Sequence, residues 1–220
     1  MSLQTLIENI AAAEPGPKTC AVFDFDGTII SGYSATAFLK DQIARGEIAP
    51  ADLIQLTQAA TRFGIGSLGF SALMAVHAQY LAGRSEADYI ANSERLFRRA
   101  IAKLIYPEAR QLIEAHRTAG HSIAIISSAT PYQVLPAAKD LGIEDVYASD
   151  LEVVDGQFTG GVVTPTCFGQ GKVDAAEHFT EKQGSDLGRC FFYSDSTDDI
   201  ELLEVAGRPV VLNGSRELKA

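Results

Sequence analysis

Four short apolar, β-prone runs punctuate the chain, at Cys20–Phe23, 122–127, Cys190–Ser194 and 209–212. Helical patterns separate them, notably at Pro107–Thr118 and 172–182. Strands that alternate with helices imply a parallel α/β sheet. Pro107 suits a first helical turn and Gly120 the end of a helix, which sharpens one of those helical boundaries. With 220 residues the chain can bury a full core, as one domain plus an insertion.

The insertion is visible in the pattern. From about 32 to 105 there is almost no strand signal, and apolar residues recur at helical spacing over 35–44, 51–62, 68–81 and 86–101. A helical bundle that follows the first strand so closely covers the carboxyl edge of the sheet, where open α/β sheets bind ligands. A lid there excludes water and selects substrates. Ahead of the first strand, Leu3, Leu6, Ile7 and Ile10 form a helical stripe ended by Pro15-Gly16-Pro17. That stretch has neither a basic start nor a long apolar centre, so it reads as a packing helix and not a signal peptide. Asp155-Gly156 between β-prone flanks predicts a hairpin within 150–163. The expected division is an N-terminal helix over 1–14, an α/β core over 15–31 and 106–220, and a helical unit over 32–105.

A formal charge of −10 argues against broad adhesion to nucleic acid or anionic membranes. It does not exclude anionic substrates, because a bound metal and one lysine dominate a site locally. Cys20, Cys167 and Cys190 lie far apart without a CxxC pattern, which favours reduced thiols and a cytoplasmic location. No apolar stretch reaches membrane-spanning length, so no integral membrane segment is expected.

The chemistry gathers at strand ends. Residues 21–30 read AVFDFDGTII, and Asp24 and Asp26, two apart at the end of a strand, project the same way. Two carboxylates facing one point are best tolerated with a cation between them, and Mg²⁺ suits such oxygen ligands. Gly27 allows a sharp exit and Thr28 can hydrogen-bond the turn; the competing reading is a solvated turn. Ser127 is the first polar residue past the second apolar run, placed either to hold phosphate oxygens or to cap the next helix. Lys172, after Gly169-Gln170-Gly171, opens a helix where the dipole disfavours a cation unless an anion neutralises it. The stretch is not a Walker A loop. The third run ends in Ser194-Asp195-Ser196-Thr197-Asp198-Asp199. Asp195 is placed to share a metal with Asp24, Asp199 one turn on to support it, and Asp198 to cap or face solvent.

Other features carry less. Residues 64–69 match GxGxxG, but no strand precedes them. His77, His116, His121 and His178 share no ligand spacing, and Arg95, Arg98 and Arg99 read as a solvated helix face from which one arginine could reach a substrate anion.

The four motifs in this order, DFDGT at 24–28, the strand to Ser127, Lys172 and the strand to SDSTDD at 194–199, resemble the haloacid dehalogenase superfamily. The resemblance runs from about residue 18 to the end and implies a Rossmann-like core with a type-1 helical cap. The stretch EVVDGQFTGGVV to GQGK is similar to the phosphoserine-phosphatase-like subfamily IB. The segments GYSATAFLKDQIARGEIAP and YPEARQLIEAHRTAGHSIAIISSATPYQV look closest to modules fused to lysophospholipid acyltransferases. These likenesses imply a small-molecule phosphomonoester substrate, extending to the lysophospholipid type, and an acyltransferase as a fusion or partner. They imply Asp24 as nucleophile, Asp26 as acid and base, and Ser127 and Lys172 as phosphate ligands. Mg²⁺ would be held by Asp24, the Asp26 carbonyl and Asp195, with Asp199 behind them. Tyr33, nine residues after Asp24, replaces the glutamate that binds the ammonium of phosphoserine in that subfamily, so Tyr33 and Ser128 become candidates for substrate selection. A phosphotransferase or mutase of the same fold, and a non-catalytic phospho-acceptor module, are the alternative functions.

Overall fold

The computed structural model describes residues 1–47 and 67–214. The helix expected over 51–62 and the start of the 64–69 stretch lie outside the described residues. From the N-terminus come α1 (Leu3–Ala11), β1 (Cys20–Phe23), α2 (Ser34–Ala44), α3 (Ser67–Leu81), α4 (Glu86–Leu96) and α5 (Pro107–Thr118). They are followed by β2 (Ser122–Ile126), α6 (Pro131–Leu141), β3 (Asp145–Tyr147), β4 (Leu151–Val154) and β5 (Gln157–Val162). The chain closes with α7 (Gln170–Lys182), β6 (Cys190–Ser194), α8 (Ile200–Val205) and β7 (Arg208–Val211).

Five strands form one wholly parallel sheet in the order β3-β2-β1-β6-β7. The order runs outward in opposite directions from the β1–β6 boundary, so a crevice opens there beyond the strands' carboxyl ends. Register sharpens the point. Phe23 lies level with Ile125 and Tyr193, so Asp24, Ser127 and Asp195 all leave the sheet at one edge.

Side-chain alternation splits the core in two. Ala21, Phe23, Ile125, Phe191 and Tyr193 face α1, α5 and α6. Cys20, Val22, Ala124, Ile126 and Phe192 face α7 and α8. Strands buried on both faces explain why these runs are continuously apolar in the sequence. All three cysteines are buried free thiols.

Between α2 and α5 the described residues are mainly helical, with a departure from expectation near the end. The helix expected over 86–101 ends at Leu96 and continues as a π turn, Phe97–Ile101, and a 3₁₀ turn, Ala102–Leu104. The widened turn keeps Phe97 and Ile101 buried while Arg98 and Arg99 stay outside. The hairpin of β4 and β5, turned at Asp155 and Gly156 with positive φ, grips these helices. Gly83 N donates to Phe158 O at 2.8 Å, and Gln79 Nε2 to Gly160 O at 2.9 Å. Tyr89 packs edge-on against Tyr132 of α6 and Phe158 of β5. Arg95 binds Asp41 of α2 at 2.8 Å, so it ties helix to helix and is more than a solvated face. Among the described residues no helix is long and apolar enough to cross a membrane.

Under the sheet edge lies a buried polar chain. His116, fully buried, binds His121 through the two Nδ1 atoms at 2.8 Å and Tyr193 Oη through Nε2 at 2.7 Å. The Tyr193 ring stacks on Phe23 at 4.4 Å. Burial pushes His116 down to about 3 from 6.5, so the fold holds a neutral ring. A histidine with a lowered folded pKa stabilises the protein above 6.5 and loses that contribution as pH falls. The difference in unfolding free energy between the native chain and His116→Gln should shrink by about 2 kcal/mol between pH 7 and pH 5 in urea titrations. A pH-independent difference would contradict this account.

Candidate active site

Asp24 is the first residue past β1, and its N–H donates to Tyr193 O at 2.9 Å, extending the ladder to β6. Asp24 is 5% exposed, and its side chain meets Lys172, 3% exposed, from the first turn of α7. Lys172 Nζ donates to Asp24 Oδ1 at 2.8 Å and to Asp199 Oδ1 at 2.6 Å. Gly171 lets this turn approach the preceding loop, because a Cβ there would sit 2.0 Å from Thr166 O. Ser194 Oγ donates to Asp199 Oδ2 at 2.6 Å and accepts from Ser196 N–H at 3.0 Å, so the far side of the lysine is also anchored.

Burial alone would lower the Lys172 ammonium's pKa, but the two carboxylates outweigh it and hold the group above the usual lysine value. Burial pushes Asp24 up to about 7 against the pull of Lys172, with Asp199 adding repulsion. Asp26 rises to about 6 and Asp195 also rises, in both cases chiefly from burial. One ammonium therefore serves an edge crowded with acids.

Asp195 leaves the end of β6 and lies over the turn after β1. A Cβ on Gly27, whose φ is +81°, would fall 2.2 Å from Asp195 Oδ2, so only glycine fits beneath that carboxylate. Thr28 Oγ1 stands 3.4 Å from Asp24 Oδ2 and 3.3 Å from Asp195 Oδ1. A hydroxyl has one proton and cannot satisfy both at those distances. Asp24 and Asp195 thus present an oxygen-only pair that the Thr28 hydroxyl does not bridge at full strength. That donor set fits a hard divalent cation.

Asp26 is bound differently. Its Oδ1 accepts from Ser34 N–H at 2.7 Å and its Oδ2 from Ser34 Oγ at 3.0 Å, at the first residue of α2. Ser34 Oγ in turn accepts from Gln133 Nε2 of α6 at 3.1 Å. Gln133 and Thr130 form a capping box at the start of α6. Neither Ser34 nor Gln133 stood out in the sequence. The capping-box spacing of Thr130 and Gln133 is readable there, but it points to a helix start and not to Asp26.

Ser127 is buried one residue past β2; its N–H donates to Tyr147 O at 2.9 Å and its Oγ accepts from Ala129 N–H at 3.2 Å. The cap of α6 is Thr130, so capping that helix is not the task of the Ser127 hydroxyl. Ser128 follows, half-buried. Asp198 takes the Ser196 hydroxyl on its N–H, within a 3₁₀ turn over Thr197–Asp199. Tyr33 is 69% exposed and lines a cavity of about 560 Å³ with Lys40, Arg99 and Lys103.

Residues 21–204 match the family described as haloacid dehalogenase-like hydrolase. A putative hydrolase of Mycobacterium leprae is 31% identical over 219 residues, covering 96% of this chain and 73% of that protein. A phosphoserine phosphatase of Mycobacterium tuberculosis is 32% identical over 205 residues, 91% of this chain and 66% of its own length. Among solved structures, a protein of unknown function from Bordetella pertussis Tohama I superposes with a TM-score of 0.80 at 26% identity, covering 91% of this chain and 92% of that one.

Removing one partner from a buried ion cluster strands the others. Lys172→Met should lower stability by about 3–5 kcal/mol in chelated buffer, and Asp199→Asn added to it should recover part of the loss. Unfolding midpoints in urea test this, and a Lys172→Met variant as stable as the native chain would refute it.

Proposed function

Because this chain belongs to the haloacid dehalogenase-like hydrolase family and is a phosphatase of the phosphoserine-phosphatase-like kind, we propose that it hydrolyses a small organic phosphomonoester by attack of Asp24 on phosphorus. The observation that supports this most is the buried contact between Asp24 and Lys172 at the strand-order reversal of the sheet. An Asp24 oxygen bonds to phosphorus while the ester P–O bond breaks, and Asp26 gives its proton to the departing alcohol oxygen. Asp26 then takes a proton from water, the water oxygen bonds to phosphorus, and the Asp24–phosphorus bond breaks to release phosphate. Lys172 and the Ser127 hydroxyl hold non-bridging phosphoryl oxygens.

Mg²⁺ would be held by Asp24, the Asp26 carbonyl and Asp195, and when bound it offsets the repulsion between carboxylate and phosphate. Helices α2 to α4 act as a lid over the edge, and their make-up sets the substrate. Tyr33 carries no carboxylate to bind an ammonium, which argues against phosphoserine as the preferred ester.

Asp24→Asn should lose more than about 100-fold in turnover of p-nitrophenyl phosphate. EDTA should abolish activity, and Mg²⁺ should restore it; retained activity in Asp24→Asn would remove the nucleophile from this scheme. Calorimetric titration should show weaker Mg²⁺ binding in Gly27→Ala, where the added methyl displaces Asp195. A panel including phosphoserine and lysophosphatidate, with free phosphate measured against added alcohol acceptors, distinguishes hydrolysis from transfer and reads the ester preferred.

A further inference from the structure

The bonds around Asp26 have a direction. Gln133 Oε1 accepts from both Thr130 N–H at 2.8 Å and Thr130 Oγ at 2.9 Å. Turning the amide over would set its NH₂ against that backbone N–H, so the flipped orientation is closed. Nε2 must then point to Ser34 Oγ, as it does at 3.1 Å. A hydroxyl that accepts there aims its single proton elsewhere, and Asp26 Oδ2 stands 3.0 Å away. Gln133 and Ser34 are both buried, so water does not supply these bonds instead. Ser34 thereby grips the Asp26 carboxyl at both oxygens, one through its N–H and one through its hydroxyl.

We propose that Ser34 and Gln133 are positioning residues for proton transfer: Gln133 orients the Ser34 hydroxyl, and Ser34 sets the plane of the Asp26 carboxyl against the departing ester oxygen. This rests on the reading of Asp26 as the group that protonates the leaving alcohol. The two residues come from different layers, Ser34 from α2 and Gln133 from α6 beside the sheet. Proton transfer is therefore tied to the seating of the α2 N-terminus against α6. As the P–O bond breaks, its electron pair passes to the ester oxygen, and the proton follows from Asp26 along the line that Ser34 fixes.

Two esters of matched size separate positioning from general damage. p-Nitrophenolate leaves without protonation, whereas the alcohol of p-nitrobenzyl phosphate needs the acid. The ratio kcat/KM reports events only through release of the first alcohol, so slower hydrolysis of the enzyme intermediate does not blur it. Ser34→Ala should lower kcat/KM for the benzyl ester by about tenfold or more and for the phenyl ester by less than about twofold. Ser34→Thr, which keeps the hydroxyl, should restore the benzyl value. Gln133→Leu should show the same selectivity, and Ser34→Ala/Gln133→Leu should lose no more than Ser34→Ala alone. Equal losses on both esters, or losses that multiply in the double variant, overturn the proposal. Asp26→Asn is the reference: a selective Asp26→Asn beside a non-selective Ser34→Ala rejects the relay alone. A non-selective Asp26→Asn rejects the proton role of Asp26 and the relay with it. Should Gln133→Leu not fold, the Ser34→Ala and Ser34→Thr pair decides by itself.

Discussion

One buried ammonium organises the carboxyl edge of this sheet. Lys172 sits between Asp24 and Asp199 with almost no exposure, and such a charge is tolerable in a core only when it is paired and fully hydrogen-bonded. The pairing draws together the end of β1, the first turn of α7 and the turn after β6. Their carboxylates outnumber the lysine once Asp26 and Asp195 are counted, and burial raises the pKa of both. An edge where one ammonium meets four carboxylates is suited to a second cation and an incoming phosphate, the basis of the proposed chemistry.

The sheet makes that convergence possible. With β1 at the centre and β6 beside it, strand order reverses where Asp24 and Asp195 emerge, and parallel register puts Ser127 at the same level. Helices on both faces leave the strand ends as the place where polar groups can gather without disturbing the core. The aromatic contacts of Tyr89 with Tyr132 and Phe158 then fasten the helical insert to the α/β layer. Asp26 stands at that join, bound to Ser34 on one side and through it to Gln133 on the other.

Legibility in the sequence followed from how local each signal was. β1, β2 and β6 were readable because both faces of each are buried, which leaves uninterrupted apolar runs ending at a polar residue. The hairpin at Asp155-Gly156 was readable from its turn chemistry. β3 was not, because a three-residue strand carries too little pattern, and the π turn after Leu96 was not, because its apolar spacing mimics an ordinary helix. The offset of Tyr33 from Asp24 names a position without its surroundings, and the structure adds that the ring is exposed and lines a cavity with Lys40, Arg99 and Lys103.

By itself the sequence determined the parallel α/β plan, the helical insertion and the acids at the strand ends, since these follow from side-chain periodicity and from residues adjacent in the chain. Tertiary structure alone decided that Lys172 bridges Asp24 and Asp199, that Asp195 needs Gly27 beneath it, and that Gln133 reaches Asp26 through Ser34. The physical reason is distance along the chain. Partners separated by up to about 170 residues are chosen by packing and burial, and no local pattern encodes which buried donor will face which buried acceptor.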